Sequence, residues 1–197
     1  NRSYSLTGRI LEQAASIHLS VSFVMAHDIP YDGSRPDHRA SRYVELMRDW
    51  EALQDAGAGW LANASNLVAL LHRGLGFWWT GFYLLRPTDG TLVLGPFQGP
   101  VACTLIHRGK GVCGACVERN EPILVPDVEQ FPGHIACSSL SRSELVLPLY
   151  AGHALVGVLD LDSLELDDFG FEDIRALEPF LEGLQRHWTG SPEGAIR

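Results

Sequence analysis

Apolar residues recur at three- and four-residue spacing in two stretches. Tyr43, Leu46, Met47 and Trp50 do so within residues 40–56, and Leu61, Leu67, Leu70 and Leu71 within 59–75. That period places them on one face of a helix. Gly74 followed by Gly76 reads as the stop of the second helix. The pattern then changes. "FWWTGFYLLR" (77–86) is a dense aromatic run bounded by glycine and by Pro87-Thr88-Asp89-Gly90, which predicts a buried strand entering a hairpin. "TLVLGPF" and "VACTLIHR" predict the next two strands. "GKG" (109–111) punctuates, residues 112–119 form a short helix, and "PILVPDV" is a short strand. The loop "EQFPGHIACSS" follows. "SELVLPLY" and "ALVGVLDLDS" are two strands around the turn Ala151-Gly152-His153. From Gly170 to about Trp188, the residues Ile174, Leu177, Phe180, Leu181 and Leu184 mark a last helix.

Upstream, residues 1–27 read as a weak helix with an entry segment, and "DIPYDGSRPDHR" (28–39) as a loop or linker. The expected organisation is an N-terminal extension (1–39), a main domain (40–190) and a tail (191–197). Helices, then strands joined by short turns, then a helix, describe an α+β fold with a mostly antiparallel sheet rather than alternating βαβ units.

Composition narrows the function. The chain has 197 residues, is 46% hydrophobic and carries a formal net charge of −9. That is enough apolar material for one packed domain. Without a run of Lys or Arg, nucleic acid is not an expected partner, and the acidic surplus argues against an anionic membrane. No apolar stretch approaches the ~18 residues of a membrane span. "AASIHLSVSFVMA" (14–26) has the length of a signal-peptide core, but Glu12, Gln13 and His18 interrupt or edge it, so it reads as a folded segment. Four cysteines are too few for a disulfide scaffold, which favours a cytoplasmic protein whose clustered cysteines serve metal or redox chemistry.

Cys137 lies on a loop shaped by Pro132 and Gly133, where function tends to sit. The sequence leaves it open between a reactive and a structural thiol. Cys103, placed on a strand, reads by itself as a core residue. Cys113 and Cys116 form a C-x-x-C pair at the start of a short helix, a position that would lower the pKa of Cys113. The long helix of a thioredoxin-type site is missing. A zinc site from these cysteines and His134 is the lesser alternative, because only one tight pair exists. Asp160 and Asp162, two apart on a strand, face the same side. They form either a solvated strand end, or a pocket for an ammonium group, or a carboxyl kept protonated to donate a hydrogen bond. Glu144 opens another strand. Trp79 and Tyr83 share a face and either wall a pocket or fill a core.

Taken in order and spacing, "WTGFYLL", "LVLGPFQGPVAC", "GKGVCGAC", "VPDVEQFPGHIAC", "SRSELVLPL" and "GVLDLDS" resemble the free methionine-(R)-sulfoxide reductase family of GAF-domain enzymes. The resemblance runs from about Leu61 to the last helix. It implies a six-stranded antiparallel sheet flanked by helices, a homodimer, and no metal or cofactor. It implies that Cys137 attacks the sulfoxide sulfur and becomes a sulfenic acid. Cys103 is then the principal resolving thiol, Cys113 a further contributor, and thioredoxin the reductant. Glu144 and Asp162 would polarise the sulfoxide oxygen, Asp160 with Asp127 would take the substrate ammonium, and Trp79 and Tyr83 would pack on the thioether end. The chain departs from the family pattern at Cys116, where a small residue is usual, at Ser138, where Asp is common, and in its longer N-terminal arm. The competing class is a GAF sensor that binds a small ligand without turning it over.

Overall fold

A computed structural model of the chain describes residues 39–134 and 140–188. The weak helix and linker expected before residue 39, the Cys137 segment of the loop and the tail lie outside those residues.

Helices α1 (Arg39–Leu53) and α2 (Gly59–Leu75) form where the apolar spacing places them. The end of α2 differs from expectation. Gly74 is inside the helix, and a Cβ there would stand 2.4 Å from Leu46 Cδ2, so this glycine lets α1 approach. The stop is Gly76 alone, at φ 69°, whose N–H donates to the His72 carbonyl.

The strands are β1 (Trp79–Leu85), β2 (Leu92–Gln98), β3 (Leu105–Ile106), β4 (Ile123–Val125), β5 (Ser143–Ala151) and β6 (Ala154–Ser163). Helix α3 (Gly111–Arg119) lies between β3 and β4, and α4 (Phe171–Gln185) follows β6. The sheet order is β3-β2-β1-β6-β5-β4 with every pair antiparallel. The expected strand 101–108 shrinks to two residues, so Cys103 sits in irregular chain before β3, half-buried. Pro100, which cannot donate to a ladder, immediately precedes that segment.

Alternation along the strands separates two faces. Phe82, Leu84, Leu145, Leu147, Leu159 and Leu161 join Leu46, Trp50, Leu67, Leu71, Phe180 and Leu184 of α1, α2 and α4 in one apolar core. Tyr83, Val146 and Val158 face the other way and pack with Val112, Cys116 and Val117 of α3. A polar clasp ties the helical side together. Arg39 bonds the Asp168 carbonyl at 2.6 Å and the Asp173 carboxylate at 3.1 Å, and Tyr43 donates to Asp173 at 2.8 Å. Asp173 also accepts the Gly170 N–H at 2.8 Å, which caps α4. No helix among the described residues is long and apolar enough to cross a membrane.

Candidate functional site

Directly opposed residues in a sheet share a face. The β1–β6 register sets Trp79 against Asp162 and Gly81 against Asp160, and the β6–β5 register sets Asp162 against Glu144. Trp79, Asp160, Asp162 and Glu144 therefore project together toward α3. Gly81 leaves room for the indole: a Cβ there would lie 2.4 Å from Trp79 Cη2. The ring stacks on Tyr83 (5.8 Å between centroids) and on Phe97 (5.5 Å). Trp79 Nε1–H donates to the Pro100 carbonyl at 3.1 Å, and the Tyr83 hydroxyl donates to the Cys103 carbonyl at 3.0 Å. Both rings are thus walls fixed at their polar ends. Burial, followed by the charge of Asp160, pushes the Tyr83 hydroxyl well above its ordinary pKa.

The acids sit behind this wall. Glu144 and Asp160 are each 6% exposed, and Asp162 is half-buried. Burial raises the pKa of all three. Asp162 reaches about 6, with a Ser141 hydrogen bond opposing the rise. Glu144 and Asp160 are raised well above the ordinary carboxylate range, by burial first and then by the neighbouring acids. No Lys or Arg among the described residues lowers any of them. Lys110 lines the cavity beside them, and His134 places Nε2 3.8 Å from Glu144 Oε2, where burial favours its neutral ring. Burial without a Lys or Arg partner among the described residues thus favours the protonated form across this cluster. Asp160 Oδ1 is buried without a hydrogen-bond partner. As lined by the described residues, the cavity in front of it has a volume of about 30 Å³, between the acids, Ile106 and the Lys110–Cys113 turn. A larger groove of about 740 Å³ lies between α1 and α4, and it contains none of the residues expected to carry chemistry.

The cysteines separate. Cys113 is 3% exposed beside Asp160 and Glu144, and burial together with those acids pushes its thiol pKa up. The expected lowering by the helix N-terminus is overturned, because desolvation and neighbouring negative charge outweigh the end of a two-turn helix. Cys116 is fully buried, its Sγ 3.9 Å from the Val146 carbonyl and its pKa pushed up to about 12, which makes it a packing residue. Cys113 and Cys116 are free thiols, whereas Cys103 is disulfide-bonded. Cys137 lies outside the described residues.

Asp127 is engaged in its own turn. Its carboxylate accepts the Glu129 N–H at 3.1 Å and the Gln130 side-chain amide at 2.7 Å, which caps the short 3₁₀ turn Val128–Gln130. Three residues outside the sequence candidates contribute here, together with His134, which the zinc alternative names. Phe97 extends the aromatic stack, Gly81 makes room for it, His134 approaches Glu144, and Lys110 lines the cavity. Gly81 was the most legible of these, a glycine inside a strand that marks a close approach.

A family model described as GAF domain matches residues 63–186. "GAF domain-containing protein A" of Dictyostelium discoideum is 45% identical over 159 residues, covering 80% of this chain and 98% of that protein. Free methionine-R-sulfoxide reductase of Escherichia coli is 46% identical over 145 residues, covering 73% of this chain and 87% of that protein. Among solved structures, free methionine-R-sulfoxide reductase from Neisseria meningitidis in complex with its substrate superposes with a TM-score of 0.74 at 40% identity, covering 82% of this chain and 96% of that one.

Proposed function

The chain belongs to the free methionine-(R)-sulfoxide reductase family of GAF-domain proteins, and we propose that it reduces the R epimer of free methionine sulfoxide to methionine through cysteine chemistry renewed by thioredoxin. The observation that carries this reading is the set of buried acids that share one face and lack a Lys or Arg partner among the described residues. A substrate ammonium answers the unpartnered oxygen of Asp160. A sulfoxide is a poor electrophile until its oxygen takes a proton or a hydrogen bond, and Glu144 and Asp162 are carboxyls whose pKa values burial raises toward that role. Trp79 and Tyr83 give the apolar end of the substrate a rigid wall.

Cys137 thiolate forms a bond to the sulfoxide sulfur as the oxygen accepts a proton from the acid pair. The S–O oxygen passes to Cys137 as a sulfenic acid and methionine leaves, reduced by two electrons. The thiol of Cys103 then attacks the sulfenic sulfur, water departs, and a Cys103–Cys137 disulfide forms. A thioredoxin dithiol takes that disulfide back to two thiols and is itself oxidised. The disulfide-bonded state of Cys103, beside free Cys113 and Cys116, supports Cys103 as the resolving residue. The raised pKa of the Cys113 thiol supports a secondary place for it, since the thiolate is the attacking form.

Methionine release from the R and S free sulfoxides, with thioredoxin as reductant, tests the proposal. The native chain is expected to turn over the R form alone, and Cys137→Ser to lose turnover by a factor of ~10³ or more. Equal turnover in Cys137→Ser would overturn the nucleophile. No turnover of either form by a folded chain would favour a ligand-binding sensor.

A further inference from the structure

Cys113 Sγ and one carboxylate oxygen each of Glu144 and Asp160 lie within 4.8 Å of one another. They come from three elements, α3, β5 and β6, so their approach is set by packing and not by a flexible loop. The three are close enough that the negative charge of Asp160 raises the pKa of both Cys113 and Glu144. Three ligand atoms at that separation can reach one ion, and a cation can replace the protons they carry. A second observation points to a ligand independently: Asp160 Oδ1 is buried, has no hydrogen-bond partner and lines a cavity of about 30 Å³. That space admits one ion or one water.

We propose that Cys113, Glu144 and Asp160 form a binding site for a thiophilic divalent cation, Zn²⁺ foremost, and that a cation held there excludes the sulfoxide substrate. The donor set selects the metal. One thiolate with two carboxylates suits Zn²⁺, whereas Mg²⁺ and Ca²⁺ take oxygen donors. Around a tetrahedral Zn²⁺ these donors would stand about 3.4–3.6 Å apart. The three atoms therefore need to close by roughly 1 Å, within reach of a carboxylate rotation. The fourth position is left to water, so the bound ion caps the carboxyls on which the proposed function places the substrate. The exclusion half of this inference rests on that reading, and the binding half does not.

The test uses the full chain in its oxidised form, with Cys103 in its disulfide and Cys113 free, so that no other reactive thiol pair competes. Co²⁺ is the probe, because a cobalt–thiolate bond gives a near-ultraviolet charge-transfer band. One Co²⁺ per chain with such a band, displaced by Zn²⁺, is the expected result. The band should vanish in Cys113→Ser and persist in Cys116→Ser. Asp160→Asn should weaken binding about tenfold or more, since loss of even an outer-sphere partner costs that much. Excess free methionine-R-sulfoxide should move the Co²⁺ midpoint upward. No band, or a band that survives Cys113→Ser, overturns the site. A Cys113-dependent band that sulfoxide does not move overturns the exclusion and counts against this pocket as the substrate site. Normal turnover without any Co²⁺ binding overturns the metal inference and leaves the proposed function standing.

Discussion

The two faces of the sheet are built by opposite rules. On the helical face, Phe82, Leu145, Leu147, Leu159 and Leu161 meet α1, α2 and α4, and every one of these strand residues is apolar and buried. The charges on that side are compensated, as Arg39 shows by binding Asp168 and Asp173 together. On the α3 face, three acids gather behind an aromatic wall with no Lys or Arg partner among the described residues. The same strands carry both arrangements, because successive residues point to opposite sides. One face supplies stability. The other gives some of it up by burying carboxyls whose pKa values rise as a result, which the proposed function puts to chemical use.

Substitutions that respect this division should separate activity from stability. Glu144→Gln keeps the volume and removes the proton donor. It should lower kcat/KM for the R-sulfoxide by ~10²–10⁴ with an unchanged or higher denaturant midpoint. A loss of fold instead would place Glu144 in the structural set. Neighbours on β1 give a paired contrast. Phe82→Ala should cost about 3–5 kcal/mol in a urea melt, yet leave the specific activity of the folded fraction near normal. Tyr83→Phe should cost only ~0.5–1.5 kcal/mol. Without its bond to the Cys103 carbonyl, however, Tyr83→Phe should slow disulfide formation in a single-turnover thiol assay.

A separate expected effect concerns pH. Burial holds the Asp162 carboxyl at about 6, against an ordinary value of 3.8. Between those values the folded chain binds more protons than the unfolded one, so stability falls as pH rises through the window and the penalty is complete above about 6. Asp162→Asn should lack this component. It should gain ~1–3 kcal/mol on the native chain at pH 7.5 and little at pH 4.5, read from urea midpoints at the two pH values.

Much of this division could be read from the sequence. The i, i+2 spacing of Asp160 and Asp162 puts both on one face, and the i, i+4 spacing of Trp79 and Tyr83 puts both rings on one side, because strand alternation is a local rule. Contacts between distant elements were not legible. Nothing local signals that Cys113 on α3 meets Asp160, 47 positions on, so the dipole argument missed the desolvation that raises its pKa. Gly74 looked like a helix stop because its packing role depends on Leu46 of a different helix. Cys103 looked like a strand residue because "VACTLIH" has strand composition, although only Leu105 and Ile106 find a ladder partner.

The central claim is that the acid face recognises a free ammonium beside a sulfoxide. The most direct measurement compares kcat/KM for free and N-acetylated methionine-R-sulfoxide in the native chain and in Asp160→Asn. The native chain should prefer the free amino acid by ~30-fold or more, the value of one buried charge pair of about 2 kcal/mol. Asp160→Asn should lose most of that preference by slowing on the free substrate. Equal rates on both substrates in the native chain, or a preference that survives Asp160→Asn, would contradict the account.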